Sequence, residues 1–506
     1  MVTEQPSRQA RRTTSRPGYF LWATLALLLA AFALRVWQVG APSLWADEVM
    51  TEYRAQAPFW DATQNILKTI DQVPLYFWLL RLFPTGNEFL LRFPSVLAGV
   101  LGVALAMGVA RRLYASDTLA LIVGGWLTFN PFHIWLSRTA RAYTLIFVWA
   151  VLLSYLFLTL WRGENRRRYW VAFTLASLTA YLTHYSLLAL PFVQTLMVGW
   201  ALRRRWDFAR RWVLAQAIAV VPMLVWLGLM LANYTPREPQ WGEPPRLRDL
   251  ALTLWNLTAG YPGGWRWYVL PGLLVAVGGA VLALRTPKLR ARNVYWLLLM
   301  LPLLLVFAVS NTPVNMYIDR YFMVVLPALA FVIASGWANA PRAAWRLALV
   351  AVMVGGVGNV ADALSHEQHQ REDWRGAAQY VAAAYQPDDY FVVDRAVTMT
   401  AFRRYFADER ASTHVLQLTE TEAPPPPAEE VGERFWVLYR TPDENIHQLL
   451  SLPEFDPFRP QHTAISQWLL PRLNYVVDYR AFDGVTVLLV NFSQPPSLTQ
   501  GTSLRE

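Results

Sequence analysis

Long apolar stretches separated by short polar ones organise most of this chain. They fall at about 19–39, 92–110, 117–136, 142–161, 212–233, 266–284, 293–310, 321–340 and 347–363. Each is at or near the ~20 residues a helix needs to cross ~30 Å of hydrocarbon. The stretch 169–202 is too long for one upright helix and short for two. Its flanks decide the matter, because Arg166, Arg167 and Arg168 precede it and Arg203, Arg204 and Arg205 follow it. Short basic loops gather on the cytoplasmic side, so an even number of crossings separates these two. The stretch therefore reads as a hairpin with its outer tip near His184 and Tyr185. Eleven spans result, with the N-terminus inside and the C-terminus outside. On this topology Lys and Arg number 21 in the 54 residues of the inside loops and 9 in the 99 residues of the outside loops.

The basic start (Arg8, Arg11, Arg12, Arg16) ahead of the apolar run from Tyr19 to Val39 reads as a cytoplasmic tail over residues 1–18 and an uncleaved anchor. The run is longer than the ~7–15 residues of a secretory h-region, and no small-residue cleavage site interrupts it. The first outer loop, 40–91, is long for a connector. Within it Phe59, Trp60, Ile66, Leu67 and Ile70 fall on one helical face, and a second apolar piece, Leu75 to Phe83, is too short to span. Both predict helices lying in the membrane interface, the plainer alternative being a packed surface loop.

From Asp362 onward the composition turns soluble. Helical patterns at Trp374 to Tyr385 and up to Arg404 alternate with strand patterns at Tyr390 to Val393, Phe435 to Tyr439 and Val485 to Val490, interrupted by the prolines 424–427. Asp388-Asp389 reads as a turn before a strand. The predicted architecture is an α-helical polytopic membrane protein of about 11 transmembrane helices over 19–363, followed by a small extracytoplasmic α/β domain over 364–506. Composition agrees: 55% of the 506 residues are apolar, 16% are charged and 24 are Trp, more apolar surface than a soluble domain can hide. The net charge of +10 sits in clusters between apolar runs, the pattern of membrane loops rather than of a nucleic-acid surface. With no cysteine, disulfides, thiolate metal sites and a cysteine nucleophile are excluded.

Placed on this topology, the polar residues gather at one leaflet. Asp47 and Glu48 follow span 1. Arg138, Arg141 and Tyr143 lie at the outer junction of spans 3 and 4. His184 and Tyr185 tip the hairpin, and Asp319, Arg320 and Tyr321 open span 10. Ionisable groups near membrane depth are costly and tend to be functional. Carboxylates in one loop and arginines in others suit glycosyl transfer from a lipid phosphate: the carboxylate takes a proton from an acceptor hydroxyl, and arginines or a divalent cation stabilise the departing phosphate. No Gly-rich nucleotide loop is present, so no nucleotide cofactor is expected. Each residue also has a plainer reading. An Asp-Glu pair after a span is often ordinary loop charge, arginines at span ends anchor to headgroups, and a lone His at a hairpin tip is commonly a structural hydrogen-bonder.

Motifs narrow the choice. Ser43-Leu44-Trp45-Ala46-Asp47-Glu48 resembles the Trp-x-Asp-Glu signature in the first outer loop of bacterial GT-C glycosyltransferases, those similar to the protein mannosyltransferases and the lipid A aminoarabinose transferase (glycosyltransferase family 39-like). Asp71-Gln72-Val73-Pro74-Leu75-Tyr76 is similar to that family's His-Pro-Pro-Leu-Tyr element. Asn87-Glu88 with Leu91-Arg92-Phe93-Pro94-Ser95 resembles its Glu…Leu-Arg-x-Pro-Ser. Asn130-Pro131 with Ala140-Arg141-Ala142-Tyr143, Thr183-His184-Tyr185, Arg320-Tyr321…Leu326-Pro327 and Glu372-Asp373-Trp374-Arg375-Gly376-Ala377-Ala378 also fit.

The resemblance implies a GT-C fold and an inverting transferase with Asp47 as base and Glu48 in support. Arg141 and Arg320 would lie near the donor phosphate, and Arg138, Tyr143, His184, Tyr185, Tyr321, Asp71 and Glu88 would complete the substrate site. The implied partners are a polyprenyl-phosphate-linked sugar, membrane lipids and a hydroxyl acceptor of unspecified class, at the cytoplasmic membrane. A divalent cation is left open. The family's His-Pro-Pro becomes Gln72-Val73-Pro74 here, which sets protein mannosylation in doubt. Two rivals stand beside the enzyme. A transporter or flippase of lipid-linked precursors would place charges or helix breaks at mid-bilayer in repeated halves, and no internal repeat is evident. A receptor working through its outer domain is hard to square with eleven spans.

Overall fold

The computed structural model describes residues 17–69, 72–234, 244–260, 267–312, 317–365, 372–393, 396–406, 408, 414–418, 432–440, 465 and 468–493. Helical segments occupy every predicted apolar stretch. They are α1 (Pro17–Val36), α5 (Glu88–Tyr114), α6 (Asp117–Phe129) with α7 (Pro131–Ser137), α8 (Tyr143–Trp161), α9 (Arg167–Tyr181), α10 (Ala189–Ala201), α11 (Trp206–Asn233), α13 (Leu270–Arg285), α15 (Val294–Leu298) with α16 (Leu301–Val309), α17 (Leu326–Trp337) and α18 (Arg342–Ser365). Short helices α12 (Leu247–Trp255) and α14 (Pro287–Arg292) join them. By length and apolar composition five helices among the described residues can cross a membrane, or six counting the bent pair α6–α7. Several others are shorter apolar helices, so the count of eleven spans remains an expectation.

The hairpin inferred from flanking arginines is present. α9 ends at Tyr181, the chain turns through His184, and a 3-10 turn, Tyr185–Leu188, leads into α10. The single span predicted over 117–136 is instead two helices bent by 61°. Pro131 has no N–H to give Leu127, four residues back, so the ladder breaks there. The freed carbonyls are met from another helix: fully buried Arg35 of α1 donates to Leu127 O at 3.0 Å and to Thr128 O at 3.3 Å. A buried charge thus becomes a fastener for a broken helix. Elsewhere the bundle closes on glycine. A Cβ on Gly336 of α17 would stand 2.0 Å from the Gly279 carbonyl of α13, and one on Gly356 of α18 equally close to the Phe129 carbonyl. Small residues at such crossings let helix backbones approach where apolar lipid supplies no drive to pack.

The loop 40–91 holds three helices: α2 (Ala46–Gln56), α3 (Phe59–Leu67) and α4 (Leu75–Leu80). The last two were predicted, and Trp60 on α3 is 72% exposed, as an interfacial tryptophan would be. The first was not, and it carries the Asp-Glu pair. After α18 come α19 (Trp374–Ala384) and α20 (Ala396–Arg403) with a five-stranded sheet of β1 (Tyr390–Val393), β2 (Val415–Gln417), β3 (Arg434–Arg440), β4 (Val476–Phe482) and β5 (Val485–Asn491) in the order β2-β1-β3-β5-β4. β1 runs parallel to both neighbours, and β5 runs antiparallel to β3 and β4. Asp389 is more than a turn residue. Fully buried ahead of β1, it accepts from Arg434 Nε at 2.9 Å and Trp436 Nε1 at 2.8 Å, and so fastens β3. The prolines 424–427 lie outside the described residues.

Candidate functional site

Four separate stretches of chain converge beside the first turn of α2. Asp47 and Glu48 are neighbours in sequence but face different surroundings. Glu48 is 1% exposed. Its carboxylate takes Arg92 in a two-pronged ion pair, Nε at 2.9 Å and Nη2 at 2.5 Å, and accepts the Ala140 N–H at 2.7 Å. Arg92 spends its remaining donors on the carbonyls of Val39, Pro42 and Ser43, each at 2.9 Å. Glu48 therefore ties the loop after α1, the start of α5 and the loop after α7 into one knot. The Asp47 side chain, by contrast, is 36% exposed.

The Arg141 guanidinium lies 3.9 Å from the Asp47 carboxylate and donates to Thr51 Oγ1 at 3.5 Å and Gln72 Oε1 at 3.4 Å. Beyond Arg141 lies a small cleft with room for about one water molecule, lined by Gln72, Tyr76, Tyr143, Thr183 and His184. Gln72 thus lies in the cleft as an uncharged acceptor for Arg141. Tyr143 is 1% exposed, and its hydroxyl has no hydrogen-bond partner among the described residues. His184 meets the Tyr321 ring edge to face at 4.7 Å. Burial, with Arg141 close by, pulls the imidazole down to about 3, so it is neutral at any physiological pH. Arg320, on the 3-10 turn Asp319–Val324, lies over the Trp45 ring at 5.3 Å, two residues from Asp47. Asp319 turns away and accepts from Asn256 at 3.0 Å.

Not every expected residue joins this group. Arg138 reaches back to the end of α1, donating to Trp37 O at 2.6 Å and Leu34 O at 3.3 Å, where it satisfies carbonyls a helix C-terminus leaves open. Glu88 pairs with Arg375 at 2.6 Å and accepts the Tyr405 hydroxyl at 3.0 Å, and so faces the C-terminal unit. Tyr185 backs the cleft, its hydroxyl donating to Gln72 O at 3.3 Å. Asp71 lies outside the described residues. Among the described residues no group of three or more His, Asp or Glu is arranged to hold a metal ion.

One contributor had no motif of its own that spoke of this site. Glu372 is buried against the start of α2, where it accepts the Ala46 N–H at 2.7 Å, Trp374 Nε1 at 2.6 Å and Arg440 Nε at 2.8 Å. Burial pushes its carboxyl up from the ordinary range, with Arg440 opposing. The nearest sequence signal was the Glu-Asp-Trp-Arg-Gly run, which gave no direction for the side chain.

No family model matches the chain, and no curated protein matches it in sequence. Its fold does have solved counterparts. Crystal structures of ArnT, the lipid A aminoarabinose transferase, from Cupriavidus metallidurans superpose over nearly the whole molecule. The apo form gives a TM-score of 0.59 at 14% identity, covering 95% of this chain and 100% of that one. The form bound to undecaprenyl phosphate gives 0.56 at 16% identity, covering 94% and 98%. The chain has the GT-C glycosyltransferase fold. Within that GT-C frame four of the motifs, those around Asp47, Gln72, Arg141 and His184, meet at the Asp47–Arg141 pair and the small cleft beyond it.

Proposed function

We propose that this chain is an inverting glycosyltransferase that moves a sugar from a polyprenyl-phosphate donor to a hydroxyl acceptor at the outer face of the cytoplasmic membrane. The observation that carries the reading is the Asp47–Arg141 pair: a partly exposed carboxylate 3.9 Å from a guanidinium that also borders the cleft. Asp47 accepts the proton of the acceptor hydroxyl, whose oxygen attacks the anomeric carbon from the face opposite the phosphate. The bond between that carbon and the phosphate oxygen breaks, the electron pair leaves with the polyprenyl phosphate, and the single displacement inverts the anomeric centre. Arg141, with Arg320 behind Trp45, meets the negative charge that grows on the departing phosphate, and oriented cations in a cleft are worth more there than in water. Support for a lipid phosphate comes from the counterpart ArnT, whose structure contains undecaprenyl phosphate.

The test is Asp47→Asn in purified full-length protein. Sugar transfer from polyprenyl-linked sugars extracted from the source membrane should fall by ~10²–10⁴-fold, the range for removal of a general base. Binding of undecaprenyl phosphate should change little. Transfer at the wild-type rate sinks the reading.

A further inference from the structure

Helix α2 holds Asp47 one residue inside its N-terminus, and that terminus has no cap of its own. Trp45 stands at the capping position, and no side-chain cap bond forms there. The first N–H groups of any helix lack partners within it, and an eleven-residue helix is too short to hold its shape alone. The Ala46 N–H is satisfied instead by Glu372, 326 positions along the chain, at 2.7 Å. The Glu372 backbone carbonyl accepts Ser43 Oγ at 2.6 Å, and its carboxylate is steadied by Trp374 and by Arg440 of β3.

Other side chains of the same unit grip the same segment. Tyr405 accepts the Leu44 N–H at 2.7 Å, Arg404 pairs with Glu52 at 2.6 Å, and Arg375 donates to Ala41 O at 2.9 Å. These contacts fall on both sides of Asp47. From the opposite direction Glu48 is fastened to Arg92 and Ala140. The Asp47 backbone is thus framed from two sides while its carboxylate is left partly exposed toward Arg141.

We propose that Glu372 is a positioning residue for Asp47: the C-terminal α/β unit supplies the missing cap of α2 and thereby sets the angle at which the carboxylate meets the Arg141 guanidinium. The functional half of this inference rests on the reading of Asp47 as the base. The C-terminal unit then belongs to the catalytic architecture, and a displacement of about 1 Å at the base is enough to cost up to ~10²-fold in rate.

The experiment uses the full chain in lipid nanodiscs with Glu372→Ala, Glu372→Gln and Tyr405→Phe. Amide hydrogen exchange across residues 44–52, undecaprenyl phosphate binding, and sugar transfer at saturating lipid are each measured. Losing a helix cap should speed exchange in 44–52 by about tenfold in Glu372→Ala. The transfer rate should fall by about tenfold or more while undecaprenyl phosphate affinity stays within about twofold, a split that general unfolding would not produce. Glu372→Gln keeps an oxygen for the Ala46 N–H and should restore both to within about threefold. Unchanged exchange and rate in Glu372→Ala overturn the proposal, as does a loss confined to lipid affinity. Should Glu372→Ala fail to fold, Tyr405→Phe decides, because it frees the Leu44 N–H and leaves Glu372 in place. Unaltered exchange over 44–52 in that variant also overturns it. If Asp47→Asn proves active, the base is elsewhere, yet the exchange measurements still judge the clamp by themselves.

Discussion

The adjacent carboxylates Asp47 and Glu48 ought to fail in opposite ways, and Glu48 is the sharper case to work through. Its side chain and that of Arg92 are 1% and 5% exposed, so solvent screens their attraction little. Three charge-assisted or buried hydrogen bonds end on the Glu48 carboxylate, two from Arg92 and one from the Ala140 N–H. Glu48→Gln removes the charge but keeps one oxygen as an acceptor, and Arg92 still has the carbonyls of Val39, Pro42 and Ser43. Loss of one or two such bonds costs ~1–3 kcal/mol. Arg92→Met is worse. It leaves a buried carboxylate without its cation and strips three carbonyls of a donor, in the range of ~3–5 kcal/mol for breaking a buried pair from one side. Arg92→Met with Glu48→Gln should be milder than Arg92→Met alone, since the stranded charge is gone.

The assay is unfolding by graded SDS in mixed micelles, with transfer measured on the folded fraction. Stability should rank wild type, Glu48→Gln, double variant, Arg92→Met. Folded Glu48→Gln should transfer sugar within about tenfold of wild type, because its oxygen still holds Ala140, the residue before Arg141, in place; the loss expected of Asp47→Asn is ~10²–10⁴-fold. If Glu48→Gln is stable but as inactive as Asp47→Asn, Glu48 acts in the chemistry and the assignment of a fastening role fails. If the double variant is no milder than Arg92→Met, the stranded carboxylate is not what makes that variant fragile.

Two further outcomes follow from the cleft. Tyr143→Phe removes a buried hydroxyl that makes no hydrogen bond among the described residues, so SDS unfolding should be unchanged or up to ~1 kcal/mol more favourable to the folded state. The same variant should lower undecaprenyl phosphate-sugar affinity severalfold if that hydroxyl serves the substrate, and identical affinity and rate would remove Tyr143 from the site. His184, held at about 3, is neutral in the fold while an unfolded histidine takes a proton near pH 6.5. Its folded value is depressed, so the unfolded chain binds the extra proton between about pH 6.5 and 3 and stability falls as pH drops through that window. Unfolding at pH 7.5 and 4.5 should show a smaller acid loss in His184→Gln than in wild type, and an equal loss would place the titration elsewhere.

Much of this architecture was legible because hydropathy and arginine placement are strong local signals. The triplets at 166–168 and 203–205 were enough to split 169–202 into α9 and α10, and the apolar runs at 390–393 and 485–490 declared β1 and β5. What stayed hidden depends on partners distant in sequence. α2 opens on Asp and Glu with mixed polarity behind them, and its cap comes from Glu372, so no local signature marks its start. Pro131 was visible, but that the span would bend there was decided by Arg35 taking the carbonyls the proline releases. β4 reads Val-Val-Asp-Tyr-Arg-Ala-Phe, and as an edge strand it buries too little to show a clear period. Arg138 and Arg141 stand three residues apart, and the motif marked only Arg141; the fold sends Arg138 to the end of α1 and Arg141 to Asp47.

Arg92 and Arg141 meet their surroundings differently. Arg92 makes five bonds of 2.5–2.9 Å to groups that are all buried or part of the backbone. A ligand would have to beat every one of them to claim its charge. Arg141 meets Asp47, Thr51 and Gln72 at 3.9, 3.5 and 3.4 Å, longer than the ~2.7–2.9 Å of a well-made charge-assisted bond. Gln72 presents a neutral amide oxygen to the same guanidinium. The geometry thus sends two arginines of similar burial to different carboxylates, Arg92 to the buried Glu48 and Arg141 to the partly exposed Asp47.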